Sequence, residues 1–145
     1  MRAHAHLLDV ATEAPVQVVD ITARVQELVA GDEVREGVVV VSSRHTTTAI
    51  AVNEPEPGLL EDLAATLARL VPAAQGYRHD DLEARGNPPG EPMNAHAHLQ
   101  ALLLGSSEAV PVVEGRLALG TYQALFLVEL DGPRRRQVSV LVLGA

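Results

Sequence analysis

Two short runs carry the side chains best suited to chemistry: Asn94-Ala95-His96-Ala97-His98, and Arg44-His45-Thr46-Thr47-Thr48 at the end of a β-branched stretch. Imidazole ligates metal ions and moves protons near neutral pH. A further histidine, His79, follows Tyr77-Arg78 in a turn-prone region. The chain has no cysteine, which excludes thiolate catalysis, disulfides and Cys-based zinc sites. Its basic residues are all arginine, which excludes lysine Schiff-base chemistry and a Walker-type phosphate lysine. Any metal site must be built from His, Asp and Glu.

Each candidate has a functional and a structural reading. His45 is either a metal ligand or acid–base group at a sheet rim, or a capping histidine bonded to a loop carbonyl. His96 and His98 would share one face of a strand and could chelate one ion. On a helix they diverge by roughly 200°. A helix favours His98, which lies in the first turn beside unpaired backbone N–H groups that attract anions, unless it only packs against the sheet. His79 alone reads as a solvated loop residue. Glu54 and Asp62 could hold a hard divalent cation with waters; alternatively Asp62, like Glu61, merely complements the helix N-terminus. Arg134-Arg135-Arg136 could clamp phosphate bidentately or form an exposed hairpin arm. Ser42 and Ser43 lack the glycine pattern of a nucleophile elbow. His4 and His6 read as solvent-facing strand residues.

The elements that must position these groups follow from periodicity. Residues 2–8 alternate as a half-buried strand, and Val16–Val19 is a second strand. Asp20 or Thr22 caps a helix with Ile21, Val25, Leu28 and Val29 as its stripe and Gly31 as its stop. Gly37–Ser43 is a buried β-branched strand, and Thr47–Val52 the next. Leu60, Leu63, Leu67 and Leu70 mark an amphipathic helix over 59–70. Residues 72–93 are proline-rich and aperiodic, the mark of a functional or mobile loop. Asn94 caps a helix over 95–104 with Leu99, Leu102 and Leu103 inward and Gly105 as its stop. Strands follow over Val110–Val113, Arg116–Leu119, Thr121–Leu130 and Gln137–Leu143. This order predicts a single α+β domain over 1–145, an antiparallel sheet or sandwich with two or three helices.

Composition bounds the partners. With 145 residues, 47% hydrophobic and only 2% aromatic, the core must be built from Val, Leu, Ile and Ala. A net charge of −8 argues against nucleic acid. No run approaches the roughly 18–20 apolar residues of a membrane span, and the N-terminus lacks a signal-peptide core. A cytoplasmic protein without membrane partners is expected.

Taken together, the segments resemble one family. Asp20-Ile21-Thr22, His45-Thr46-Thr47, Asn53-Glu54, Asp62, Tyr77-Arg78-His79, Asn94 to Leu99, Leu104-Gly105-Ser106-Ser107, Pro111, Gly115-Arg116-Leu117, Leu119 to Gln123, Glu129 and Asp131 to Arg134 occur in the order of the YjbQ family, the secondary thiamine-phosphate synthase-like proteins. The match spans roughly 16–144. Two departures stand out: Tyr122 replaces the family's usual Trp, and the stretch 85–92 is longer and richer in proline.

The resemblance implies an α+β homotrimer with a site of motif histidines and acids near a subunit boundary. It also implies a weak thiamine-phosphate synthase activity, joining a hydroxymethylpyrimidine diphosphate to a thiazole phosphate with release of pyrophosphate. On this expectation His45 and His98 are central, with His79 as ligand or proton donor. His45, His96 and His98 would hold Zn²⁺ or another divalent metal, and Mg²⁺ would serve departing pyrophosphate. Glu54 and Asp62 are the cation or supporting acids, and Thr46, Asn53, Asn94, Gln123 and Arg134 bind or orient a small phosphorylated metabolite. The alternative is a metal- or metabolite-binding homotrimer without significant turnover.

Overall fold

The computed structural model describes all 145 residues, Met1–Ala145. Strands β1 (Arg2–Ala11) and β2 (Gln17–Asp20) lead into helix α1 (Thr22–Gly31), then β3 (Gly37–Ser43), β4 (Thr48–Asn53) and α2 (Pro57–Leu70). A 3-10 turn over Arg78–Asp80 precedes α3 (Ala95–Leu104), β5 (Ser107–Val113), β6 (Arg116–Leu117), β7 (Ala124–Glu129) and β8 (Arg135–Gly144). The strands form two antiparallel sheets, β1-β8-β3-β5-β6 and β2-β7-β4. The single α+β domain with three helices is as expected. No helix is long and apolar enough to cross a membrane.

Side-chain alternation builds two cores. Leu125 and Leu127 of β7 join Val39 and Val41 of β3, Val138, Val140 and Val142 of β8, and the α1 stripe Ile21, Val25 and Val29. The opposite face of β7, Ala124, Phe126 and Val128, packs with Leu67 of α2 and Ala97 and Ala101 of α3. Strand β7 is therefore buried along its whole length, as expected for a strand covered on both faces.

Three local readings change. In β1 the even positions face inward: Leu8 and Val10 are buried, and His4 and His6 on that face both meet Asp32, at 3.6 and 2.8 Å. They are thus anchored, not free in solvent. In α3 the buried residues are Ala95, Ala97, Gln100 and Ala101, while Leu99, Leu102 and Leu103 are 39%, 78% and 64% exposed. Small residues let the helix approach the sheet closely, and Gln100 Nε2 donates to the Leu67 and Val71 carbonyls. Asn94 holds the N-cap position of α3 as expected, but its side chain makes no capping bond. Asp80 supplies one from the 3-10 turn, its Oδ1 accepting from the Ala95 N–H at 3.0 Å.

At one end of the inter-sheet core, Arg136 continues the inward row of β8 and Glu129 the inward row of β7. Glu129 is fully buried and paired with Arg136. Its carboxylate also accepts from Thr12 Oγ1 at 2.7 Å and from the Leu130 and Asp131 N–H groups. Arg136 Nη2 donates onward to Thr47 Oγ1 at 2.9 Å. A buried ion pair holds only when such additional bonds satisfy both groups. Arg136 is therefore not part of a phosphate clamp. Removing the cation strands a buried charge, so Arg136→Met should cost about 3–5 kcal/mol in chemical denaturation. Adding Glu129→Gln should restore part of that loss; an unchanged loss in the double variant would contradict this role.

Candidate functional site

The turn between β3 and β4 carries His45. Ser43 Oγ accepts from the His45 N–H at 3.1 Å and donates to the His45 carbonyl at 3.2 Å. It also pairs with Thr48 Oγ1. Ser43 is thereby committed to the turn and is no free nucleophile. Thr47, next in the turn, is fixed by Arg136 and by its own carbonyl, which accepts from the Leu130 N–H. The His45 ring is held as well: its Nε2 accepts from the Gln137 N–H of β8 at 2.8 Å.

His45 and His98, far apart in sequence, line one cavity of about 440 Å³ with Thr46, Thr48, Ala101, Leu102, Gly105 and Ser106. That volume suits a small metabolite. The lining presents hydroxyl and imidazole groups beside an apolar wall and contains no acidic residue. Partial burial pushes the His45 pKa down, aided by the positive charge of Arg136, with Arg44 and Arg134 adding to it against Glu129. Partial burial likewise lowers the His98 pKa, and His79 adds to this while Asp131 and Glu91 oppose it.

His98 is shared with a second cavity on the other side, lined by Tyr77, Arg78, His79, Ala95 and Leu99. His79 meets His98 edge-on, with ring centroids 4.6 Å apart. The 77–93 segment is tied down here: Arg85 donates to the His79 carbonyl at 2.8 Å and pairs with Glu91 at 3.2 Å. Glu91 Oε1 lies 3.8 Å from His79 Nε2. His79 is therefore a site neighbour, not a solvated loop residue, and Glu91 and Arg85 are supporting residues that no spacing in the sequence revealed.

The remaining candidates lie elsewhere. His96, on the same helix but turned roughly 200° from His98, lines neither cavity. No group of three His, Asp or Glu side chains is arranged to hold a metal ion, so His45, His96 and His98 do not form a metal centre within the protomer. Glu54 lines a separate cavity with Gln123, and Asp62 is exposed on α2. Gln123 closes a turn by accepting from the Gly120 N–H at 2.8 Å. Asn53 is exposed and accepts from the Glu54 N–H. Asn94 and Arg134 both engage Asp131, at 2.8 and 3.1 Å. Of the residues expected to bind substrate, only Thr46 lines the histidine cavity; Thr48, the first residue of β4, and Ser106, between α3 and β5, join it unannounced.

The depressed histidines link stability to pH. Both have native pKa values below 6.5, so the unfolded chain binds more protons in that window. Stability should fall as pH drops from 6.5 towards the native values. Urea midpoints on either side of that pH should differ less in a His45→Asn/His98→Asn double variant; an equal drop would assign the loss to other groups.

The comparisons agree with this architecture. The profile of the UPF0047 protein YjbQ-like family matches residues 6–145. A UPF0047 protein of Archaeoglobus fulgidus is 46% identical over 136 residues, covering 94% of this chain and 98% of its relative. A crystal structure of a protein of unknown function from Sulfolobus solfataricus is similar with a TM-score of 0.90 at 35% identity, covering 99% of both chains. A hypothetical protein from Aeropyrum pernix is similar with a TM-score of 0.88 at 39% identity, covering 98% of this chain and 99% of that one. The matches run over nearly the whole length in both sequence and fold, and the chain belongs to the YjbQ-like UPF0047 family.

Proposed function

We propose that the His45–His98 cavity binds a small phosphorylated metabolite and acts on it. The observation that carries this reading is the meeting of two histidines from distant segments in one cavity whose lining has three hydroxyl side chains and no carboxylate. Arg44, Arg134 and Arg136 place positive charge near His45 in a chain of net charge −8, with Arg134 and Arg136 balanced in part by Asp131 and Glu129. Donors preorganised around a departing phosphate group stabilise charge as it develops. In its most specific form the reading is the thiamine-phosphate synthase-like reaction. His45, Thr46 and Ser106 would hold pyrophosphate, and His98 would exchange a proton with the reacting groups. Magnesium would arrive on the phosphates, its usual mode, since the protomer offers no cage of its own. We place this activity in the cytoplasm.

The second reading is a homotrimer that binds a metabolite without turnover. The apolar outer face of α3 favours self-association, because Leu102 and Leu103 are largely exposed and Leu102 also lines the cavity. A neighbouring copy seated there would wall the site. On this proposal Leu102→Glu/Leu103→Glu yields monomers by light scattering, with the fold retained by circular dichroism. An unchanged molar mass, or a monomeric parent protein, would rule the α3 interface out.

The ligand reading is tested by titrating pyrophosphate calorimetrically. His98→Ala should weaken binding about tenfold or more, the loss of one hydrogen bond to a charged group. Exposed Glu61→Gln should leave binding unchanged. Equal affinity in His98→Ala and the parent would remove this cavity from the reading.

A further inference from the structure

The geometry at His45 restricts what its ring can do. A neutral imidazole has one N–H and one lone pair. The Gln137 N–H points at Nε2 from 2.8 Å, so the lone pair is on Nε2 and the proton on Nδ1. That donor is not adaptable: it is a backbone amide of β8, whose register against β3 places Ser43 opposite Val138. The backbone that carries the ring is held too, because Ser43 bonds both the N–H and the carbonyl of His45 and Arg136 fixes Thr47 two residues on.

We infer that His45 serves this cavity as a fixed, neutral hydrogen-bond donor, presenting Nδ1–H to an oxygen of the bound ligand, and is neither a metal ligand nor a proton-transfer base. The inference rests on the cavity being the ligand site. A cation at Nδ1 would require the ring to lose its last proton while Nε2 still accepts from the amide. A second proton on Nε2 would set two donors against each other at Gln137. The arginines around the turn oppose added positive charge in the same sense. A neutral imidazole that polarises an oxygen is an established catalytic device.

The two histidines therefore have different tasks. No backbone donor fixes the His98 ring; its neighbour is another imidazole, His79, with the Glu91 carboxylate beyond it. Proton exchange falls to His98, with His79 between it and Glu91. Gln137, through its backbone, and Arg136, through Thr47, are positioning residues for His45.

The test is long-range ¹H–¹⁵N correlation on protein labelled at histidine nitrogens, with the His45 signals identified by their absence in His45→Asn. The inference requires the Nδ1–H tautomer in the free protein, unmoved by Zn²⁺, with its Nδ1–H shifted by pyrophosphate. An Nε2–H tautomer, a doubly protonated ring at neutral pH, or a Zn²⁺-induced shift of either His45 nitrogen would overturn it. An Nδ1–H ring indifferent to pyrophosphate that calorimetry shows to bind would overturn the donor role, and indifference with no binding by calorimetry would sink the phosphorylated-ligand reading on which it rests. In parallel, His45→Asn retains an N–H near the Nδ1 position and should keep most pyrophosphate affinity. His45→Gln and His45→Ala should each lose about tenfold or more. Loss in Asn equal to that in Ala would count against the donor role.

Discussion

The buried pair of Glu129 and Arg136 is where the two sheets and the His45 turn become one structure. Glu129 ends the strand that is covered on both faces, and Arg136 is the second residue of the strand at the centre of β1-β8-β3. Taking both charges out of water is costly, and additional hydrogen bonds offset the cost. Thr12 and two backbone amides complete the carboxylate, and Thr47 accepts a further bond from the guanidinium. The Glu129 pKa reflects that balance: burial raises it, but the bonds from Arg136, Thr12 and Asp131 together bring it below the usual carboxylate value. The pair reaches the site at two points: Thr47 is in the His45 turn, and Gln137, whose amide donates to the His45 ring, follows Arg136.

From that anchor the cavity has two unlike sides. The His45 side is rigid, made of strand ends and a short turn whose polar groups are mutually satisfied. The His98 side is an α3 face of small residues against the sheet, backed by the 77–93 segment through His79, Arg85 and Glu91. A fixed donor opposite a titratable pair is a sensible arrangement for holding an oxyanion while moving a proton. The acidic groups near the site are already bonded to arginine, asparagine or backbone amides.

Much of this could be read from residue types, and the rest could not for identifiable reasons. The β-branched runs gave β3 and β8, and the first-turn position of His98 pointed to the cavity. The α3 face was inverted because hydrophobic spacing favoured Leu99, Leu102 and Leu103, whereas close approach to the sheet selects alanine. The strand expected over Thr121–Leu130 begins only at Ala124, because the Gln123 side chain ties back to Gly120. Arg136 shares the parity of Val138, Val140 and Val142, so an inward arginine needing a buried acid was there to be found. The Asp80 cap of α3 and the Gln137 amide on His45 depend on loop path and strand register, which local patterns do not encode.

The central claim is that a polar cavity at His45 and His98, held in place by the Glu129–Arg136 anchor, takes a phosphorylated ligand through His45 Nδ1–H. A crystal structure of the protein grown with pyrophosphate tests it most directly. The expected result is a phosphate oxygen within hydrogen-bond distance of His45 Nδ1, with Nε2 still on the Gln137 amide. Pyrophosphate bound only elsewhere, or a metal ion on a His45 nitrogen, would contradict it.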